Sequence, residues 1–284
     1  MGKKSVVVTG ASTGIGEATA RVLIGKGLRV FGSVRKPADG ERLKSQLGPD
    51  FEPLLFDVTN EAAVRAEAVR VRGLLGGETL LGLVNNAGIA VGGPLLLLSI
   101  DELRRQFEVN VFGLVAVTQA FAPLLGADRS LMGGPGRIVN MSSVAGKLGP
   151  PFLAPYVASK HAVEGLSQSL RRELLVYGID VILIGPGAVV TPIWDKAEEI
   201  DVKRFAGSDF DAPLQAFVKG FVEGGRKGLP PADVGTLVYE ALTTAKPRTR
   251  YAILRNSVTR WLLPRLLPDR TLDRLLGKQL GMTR

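Results

Sequence analysis

Short β-branched runs alternate along this chain with longer stretches of helical periodicity. The first run, Ser5-Val6-Val7-Val8-Thr9, is apolar at consecutive positions, as a strand covered on both faces requires. Similar runs recur at 28–34, 52–56, 80–84, 137–141 and 180–184, and a last one falls at 251–254. Between them, 17–26 (closed by Gly27), 60–76, 101–125, 155–177 and 231–244 read as helices. The longest carries Leu103, Phe107, Leu114, Val117 and Phe121 at near-helical spacing, with Asn110 breaking the apolar run. That asparagine is either a satisfied core polar group or a kink that serves a site. Strands and helices in strict alternation predict an α/β fold: a doubly wound parallel sheet in three αβα layers.

Two stretches depart from the alternation. Residues 193–230 lack a strong period and contain Phe205, Phe210, Phe217 and Phe221. A long irregular insertion there is a candidate substrate lid, and its aromatics are equally compatible with ordinary core. In the tail, Trp261, Leu262, Leu263, Leu266 and Leu275 are interleaved with Arg265, Arg270 and Arg274, while Pro264 and Pro268 interrupt any helix before about Asp269. This predicts a broken hydrophobic arm over 255–284 that ends in a short amphipathic helix. Such an arm has to cover something: the chain's own cleft, a neighbouring subunit or an anionic lipid surface. Two prolines suit a docked arm better than a membrane helix, so peripheral membrane contact ranks behind the protein surfaces. No linker-like break appears, and 1–284 reads as one domain.

Composition narrows the classes. Apolar residues make up 45% and charged residues 22%, an ordinary globular balance. With no cysteine and one histidine, disulfides and thiolate metal sites are excluded and no metal site is expected. A net charge of +9 raises nucleic acid as a partner. Seven basic and two acidic residues after position 254 account for +5 of it, leaving +4 spread without a stripe, so no nucleic-acid partner is expected. A strand-like run already at Ser5 leaves no room for a signal peptide, and no uninterrupted apolar run looks long enough to span a bilayer. A soluble, cytoplasmic protein is expected.

The chemistry starts at Thr9-Gly10-Ala11-Ser12-Thr13-Gly14-Ile15-Gly16, between the first strand and first helix. Glycines there let a pyrophosphate approach the backbone and lie against the positive helix N-terminus. The acidic residue that ends the second strand in many dinucleotide sites is replaced by Val34, followed by Arg35 and Lys36. That pair suits a phosphate on the ribose better than a bare hydroxyl; it is otherwise a solvated basic turn. Asp57-Val58 follow the third strand, and Asn85-Asn86-Ala87-Gly88 the fourth. After the fifth come Ser142-Ser143 and then Tyr156-Val-Ala-Ser-Lys160. Tyr156 and Lys160 share a helix face one turn apart, so the ammonium should favour the phenolate and bring the phenol into range for acid–base work. Ser143 at a strand end could hold a carbonyl oxygen beside it. Taken alone, the pair is a common surface pair and the serines are common turn or cap residues.

Together and in this order, these elements resemble the short-chain dehydrogenase/reductase family, over residues 5 to about 192. The glycine turn, Asp57, Asn85-Asn-Ala-Gly88, Asn110, Ser143, Tyr156-x-x-x-Lys160 and Pro186-Gly187 carry the resemblance. It implies a Rossmann fold, NAD(P)(H), Tyr156 as acid/base, Lys160 lowering its pKa and binding the nicotinamide ribose, Ser143 orienting the substrate oxygen and Asn110 supporting a proton relay. It places Gly10, Ser12, Thr13, Gly14, Ile15, Gly16, Arg35, Asp57, Val58, Asn86, Ala87, Gly88, Pro186, Gly187, Val189 and Thr191 about the cofactor. Asp57 and Val58 would flank adenine, and Thr191 the carboxamide. With Arg35 in place, NADP(H) is expected over NAD(H). The tail resembles the hydroxysteroid- and retinol-dehydrogenase-like branch, which implies a fairly apolar ketone, aldehyde or alcohol as substrate. The family also implies a homodimer or homotetramer. Rival readings are an NADPH-binding regulator without turnover, an NAD-preferring alcohol dehydrogenase, and an epimerase or dehydratase that shares the Tyr–Lys pair.

Overall fold

The computed structural model describes residues 2–192, 194 and 202–283. Seven parallel strands form one sheet in the order β3-β2-β1-β4-β5-β6-β7. They are β1 (Ser5–Val8), β2 (Arg29–Val34), β3 (Phe51–Leu55), β4 (Gly82–Asn85), β5 (Arg137–Met141), β6 (Asp180–Pro186) and β7 (Arg250–Ile253). The order reverses between β1 and β4, the crevice where ligands bind in open parallel sheets.

Alternate residues of each strand feed opposite layers. Val6 and Val8 of β1, Val30 of β2 and Ile182 of β6 face α1 (Gly14–Gly25), α2 (Pro37–Leu47) and α8 (Pro231–Thr243). Val7, Phe31 and Val181 face the other way, toward α3 (Glu61–Leu74) and α5 (Gly113–Phe121). All of these strand residues are buried, which explains the unbroken apolar runs in the sequence. Gly235 of α8 lets that helix approach α1 closely: a Cβ there would sit 3.1 Å from Thr19 Cα.

Three expectations need correction. Helix α2 was not expected; its only fully buried apolar side chain is Leu43, so its periodicity is faint, and Pro37 opens it by fixing φ. The helix expected over 101–125 is α4 (Ile100–Phe107), a π-helical segment Glu108–Phe112, then α5 and a 3₁₀ turn, Ala122–Leu125. By length and composition alone Ile100–Leu125 could cross a bilayer, although polar residues interrupt its apolar run. Here Val117 and Phe121 lie in the core beneath the sheet and Gln106, Asn110 and Thr118 are buried with protein partners. Finally, 193–230 is not irregular where described, because Asp211–Arg226 is a sixteen-residue helix, α7. Residues 193 and 195–201 of the expected lid lie outside the described residues.

The tail follows its expectation. A π-helical segment Val258–Leu262 and the helical turn α9 (Leu263–Leu266) precede α10 (Asp269–Leu280). Leu280 packs on an aromatic cluster of Leu98, Phe152, Phe205, Phe210, Leu214 and Phe217, so the arm covers its own chain's α7 side.

Candidate active site

The glycine turn is fitted from both sides. Gly10 has φ 65°, and a Cβ on it would lie 2.9 Å from Ala87 Cα. A Cβ on Gly16 would meet the Gly10 carbonyl oxygen at 2.1 Å. Helix α1 begins at Gly14 with Thr13 at its N-cap and no side chain capping it, so its first N–H groups face the crevice unclaimed by a cap. Thr9 Oγ1 accepts from the Asn86 and Ala87 amides at 2.9 and 3.0 Å, and Asn86 Nδ2 donates to the Thr9 and Gly10 carbonyls. Asn86 thus satisfies the turn, while Asn85 points inward to Thr118 and Asn140. Thr191 closes the far side: its Cβ would lie 3.2 Å from a Cβ built on Gly14.

At the end of β2, the Arg35 side chain is 70% exposed, and its ion pair with Asp57 is long, 3.7 Å. Asp57 also accepts from the amide and hydroxyl of Thr59. Val58 is buried against Gly113 at the start of α5. Arg42 of α2 was missed by the sequence reading: it donates to the Ser12 carbonyl at 2.6 Å and so braces the glycine turn from a helix with no recognisable motif. Beyond β6, Gly187 N donates to the Ile253 carbonyl, and Val189 bridges to Leu229 while accepting from Trp194 Nε1 at 2.6 Å. That holds the 186–192 loop along the same edge.

Ser143 caps the 3₁₀ turn Val144–Gly146, accepting from Ala145 N at 3.1 Å, and its hydroxyl donates to the Pro186 carbonyl at 3.4 Å. The turn-chemistry reading is therefore realised in this side chain. Tyr156 and Lys160 lie on α6 (Ala154–Glu173), with Lys160 Nζ 5.8 Å from the phenol ring centre. The expected lowering of the phenol pKa needs correction for this state. Burial pushes Tyr156 up from its ordinary value, and the Ser143 hydrogen bond opposes that. Burial also brings Lys160 down to about 8, against the pull of the Glu164 carboxylate. Its ammonium donates to the Met141 carbonyl at 2.8 Å, which fixes it behind the tyrosine.

Asn110 sits at the centre of the π-helical segment. Its Oδ1 accepts from Ile89 N at 2.9 Å and its Nδ2 donates to Ile89 O at 3.0 Å and Ser159 Oγ at 3.1 Å. Ser159 Oγ donates in turn to the Tyr156 carbonyl. Gln106, one turn earlier, does the same for Val91 N and Ile89 O. Gln106 and Ser159 were not singled out from sequence; the available signal was the i, i+4 spacing of Gln106 and Asn110 on an apolar helix.

Residues 4–201 match the family model of the short chain dehydrogenases. The chain belongs to this family. Among its relatives is the NADPH-dependent 3-dehydrocapnine reductase of Ornithobacterium rhinotracheale, 39% identical over 96% of each chain. Retinol dehydrogenase 16 of Rattus norvegicus is 32% identical over 88% of this chain and 80% of its own. A short chain dehydrogenase/reductase from Burkholderia phymatum, solved with NAD, superposes with a TM-score of 0.77 at 29% identity, covering 96% and 95%. The protein is an NAD(P)-dependent oxidoreductase with a Rossmann-type fold. The glycine-fitted turn and the uncapped α1 N-terminus match what such a cofactor's pyrophosphate needs.

Proposed function

We propose that the protein is an NADP(H)-linked carbonyl reductase or alcohol dehydrogenase for a fairly apolar substrate, with Ser143, Tyr156 and Lys160 as its catalytic residues. The observation that carries this is the placement of Ser143, Tyr156 and Lys160 at the carboxyl edge of the sheet, with the buried Lys160 ammonium tied to the Met141 carbonyl and 5.8 Å from the Tyr156 ring centre. When bound, the nicotinamide supplies or accepts the hydride. Tyr156 gives the carbonyl oxygen its proton, or takes it back from the alcohol, and Ser143 donates a hydrogen bond to that oxygen. Lys160 stabilises the phenolate, offsetting the burial that raises it. Asn110 acts as a positioning residue, since its amide ties Ile89 to the first turn of α6 through Ser159.

The apolar substrate class rests on the walls beside this set. Phe152 and Leu153 lead into α6, and with Leu214, Phe217, Val218 and Phe221 of α7 they line a small apolar pocket. Helix α7 and the arm thus bound the substrate side of one domain. Preference for NADP(H) rests on Arg35, exposed and loosely paired, where a 2′-phosphate would give it a stronger partner. Asp57, Val58, Pro186, Gly187, Val189 and Thr191 complete the cofactor wall. Exposed Phe112 of the π-helical segment and exposed Leu166 of α6 support a homodimer or homotetramer, which light scattering will test.

The test is NADPH oxidation against a panel of ketones and aldehydes, followed by absorbance. Turnover of apolar carbonyls is expected, and none with any member would overturn the reading. Arg35→Ala should weaken NADPH about tenfold or more, the scale of a hydrogen bond to a charged group, and leave NADH unchanged. Equal losses for both cofactors would remove Arg35 from the phosphate role.

A further inference from the structure

Behind Ser143 and Lys160 lies a set of charges that the proton transfer does not use. Glu164 follows Lys160 by one turn of α6 and is 2% exposed. Its Oε1 accepts from Ser142 Oγ at 2.6 Å and from Arg250 Nε at 3.0 Å. Its Oε2 also accepts from Arg250 Nε at 3.0 Å and lies 3.5 Å from Lys147 Nζ. Arg250, the first residue of β7, extends Nη2 to within 3.4 Å of the Ser143 carbonyl. Its guanidinium lies over Trp261 of the arm, 4.8 Å from the ring centre, and Arg265 lies over the same ring at 4.7 Å.

The backbone around this set is cut to admit it. A Cβ on Gly146 would meet Ser142 Oγ at 2.6 Å and the Glu164 side chain at 3.0 Å. A Cβ on Gly185 would meet Arg250 Nη2 at 2.8 Å. Two glycines on separate segments thus leave room for one carboxylate and one guanidinium. A buried pair of this kind is weak support for stability as such, because desolvation offsets its attraction. Its placement is more telling. The carboxylate holds the residue before Ser143 and the guanidinium touches the Ser143 carbonyl. Trp261 then joins both to a segment that covers the substrate side.

We propose that Glu164 and Arg250 are a positioning pair, which holds the Ser142–Ser143 strand end and the Lys160 ammonium in working geometry and is itself seated by Trp261 of the C-terminal arm. This rests on the assignment of Ser143, Tyr156 and Lys160 above. The charges facing Glu164 are Lys147 from the loop after β5, Arg250 from β7 and Lys160 on its own helix. Glu164→Gln removes the negative charge that favours the Lys160 ammonium and leaves Arg250 and Lys147 uncompensated beside it. Arg250→Gln removes a positive charge that disfavours the ammonium. If Tyr156 works only beside a charged Lys160, the alkaline limb of kcat/KM for alcohol oxidation should follow loss of the Lys160 proton. It should therefore move to lower pH in Glu164→Gln and to higher pH in Arg250→Gln, by about one unit each, the scale on which a neighbouring charge acts.

Both variants should lose kcat while binding NADPH, read by its fluorescence, within about twofold of wild type. Trp261→Ala should lower kcat in the same way, with Trp261→Phe restoring most of it, because a phenyl ring still carries a guanidinium. Limbs that stay put, or that move in the same direction in both charge variants, would reduce the pair to a structural tie and overturn the proposal. If Glu164→Gln does not fold, as judged by circular dichroism, the Arg250→Gln shift and the Trp261 pair decide. Tyr156→Phe separates the two levels: full activity there sinks the site assignment, whereas an inactive Tyr156→Phe with unmoved limbs sinks only the pair.

Discussion

On the glycine side of the cleft, backbone meets backbone. Gly10 and Gly16 leave no room for another carbon, and the Thr9 and Gly10 carbonyls are both claimed by the Asn86 amide. On the substrate side, contact is made by rings and leucines. Phe217 stacks on Phe221, Phe152 meets Phe210 and Phe217 edge-on, and Leu275 and Leu266 of the arm remain exposed. The first wall is set by hard geometry. The second is set by soft, non-directional burial, which can be repacked without loss of the fold. On the proposed assignment, chemistry takes place where they meet, at Ser143 and Tyr156.

The sharpest way to test that division is at the seam. Tyr156→Phe keeps the ring and removes only the hydroxyl, so turnover should fall by at least about a hundredfold, the lower range for general acid catalysis. NADPH binding should survive. Retained turnover would mean that the seam lies elsewhere.

On the hard side, Gly16→Ala puts a methyl 2.1 Å from a carbonyl oxygen. It should destabilise the fold by about 1–3 kcal/mol, in the range of overpacking, and weaken NADPH by a larger factor than any single arm substitution. Thermal melting and fluorescence titration would show it. A tolerated alanine would mean that this turn yields and that the contrast is overstated.

The two walls also differ in how far they could be read from the sequence. The glycine turn and the Ser–Tyr–Lys spacing are local, so sequence distance fixes spatial distance. Strand placement was legible because β1, β2, β4, β5 and β6 are buried on both faces. Helix α7 was missed although Leu214, Val218, Phe221 and Val222 carry a helical period, because Gly220, Gly224 and Gly225 disguise it. Arg250 could not be tied to Glu164, 86 residues away, by any spacing rule. The ring pairs of the substrate wall are tertiary and leave no local trace.

On the soft side, removing residues 258–284 uncovers the aromatic cluster that Leu280 packs on. The shortened protein should melt lower and lose about tenfold in kcat/KM for apolar carbonyls, with NADPH affinity nearly intact. One exposed leucine-sized face is worth roughly 1.5–3 kcal/mol, which sets that scale. If mass, melting point and activity are all unchanged but binding to anionic vesicles disappears, the arm serves a lipid surface instead.

The smallest effect concerns the charge buried at the seam. Lys160 is brought down to about 8, so near pH 7 the folded state carries an ammonium that burial disfavours. Between that value and its unfolded pKa, the unfolded chain binds more protons, and stability gained from this group rises with pH. Lys160→Met without cofactor should therefore melt higher than wild type at pH 7, by about 2–4 °C. The gap should close toward pH 10. A gap that widens with pH would reverse the sign of the argument.

The π-helical segment at Glu108–Phe112 has a consequence for how this helix can be edited. A wide turn holds one residue more than a regular one, so it offsets the helix before it from the helix after it by about 100°, one residue's rotation. Gln106 upstream and Asn110 within the wide turn thereby face the strand-end loop, while Val117 and Phe121 downstream face the sheet. Each half can then change its sequence without re-phasing the other. Deleting one residue from the wide turn would cancel the offset, and no point substitution elsewhere in the helix could restore both alignments.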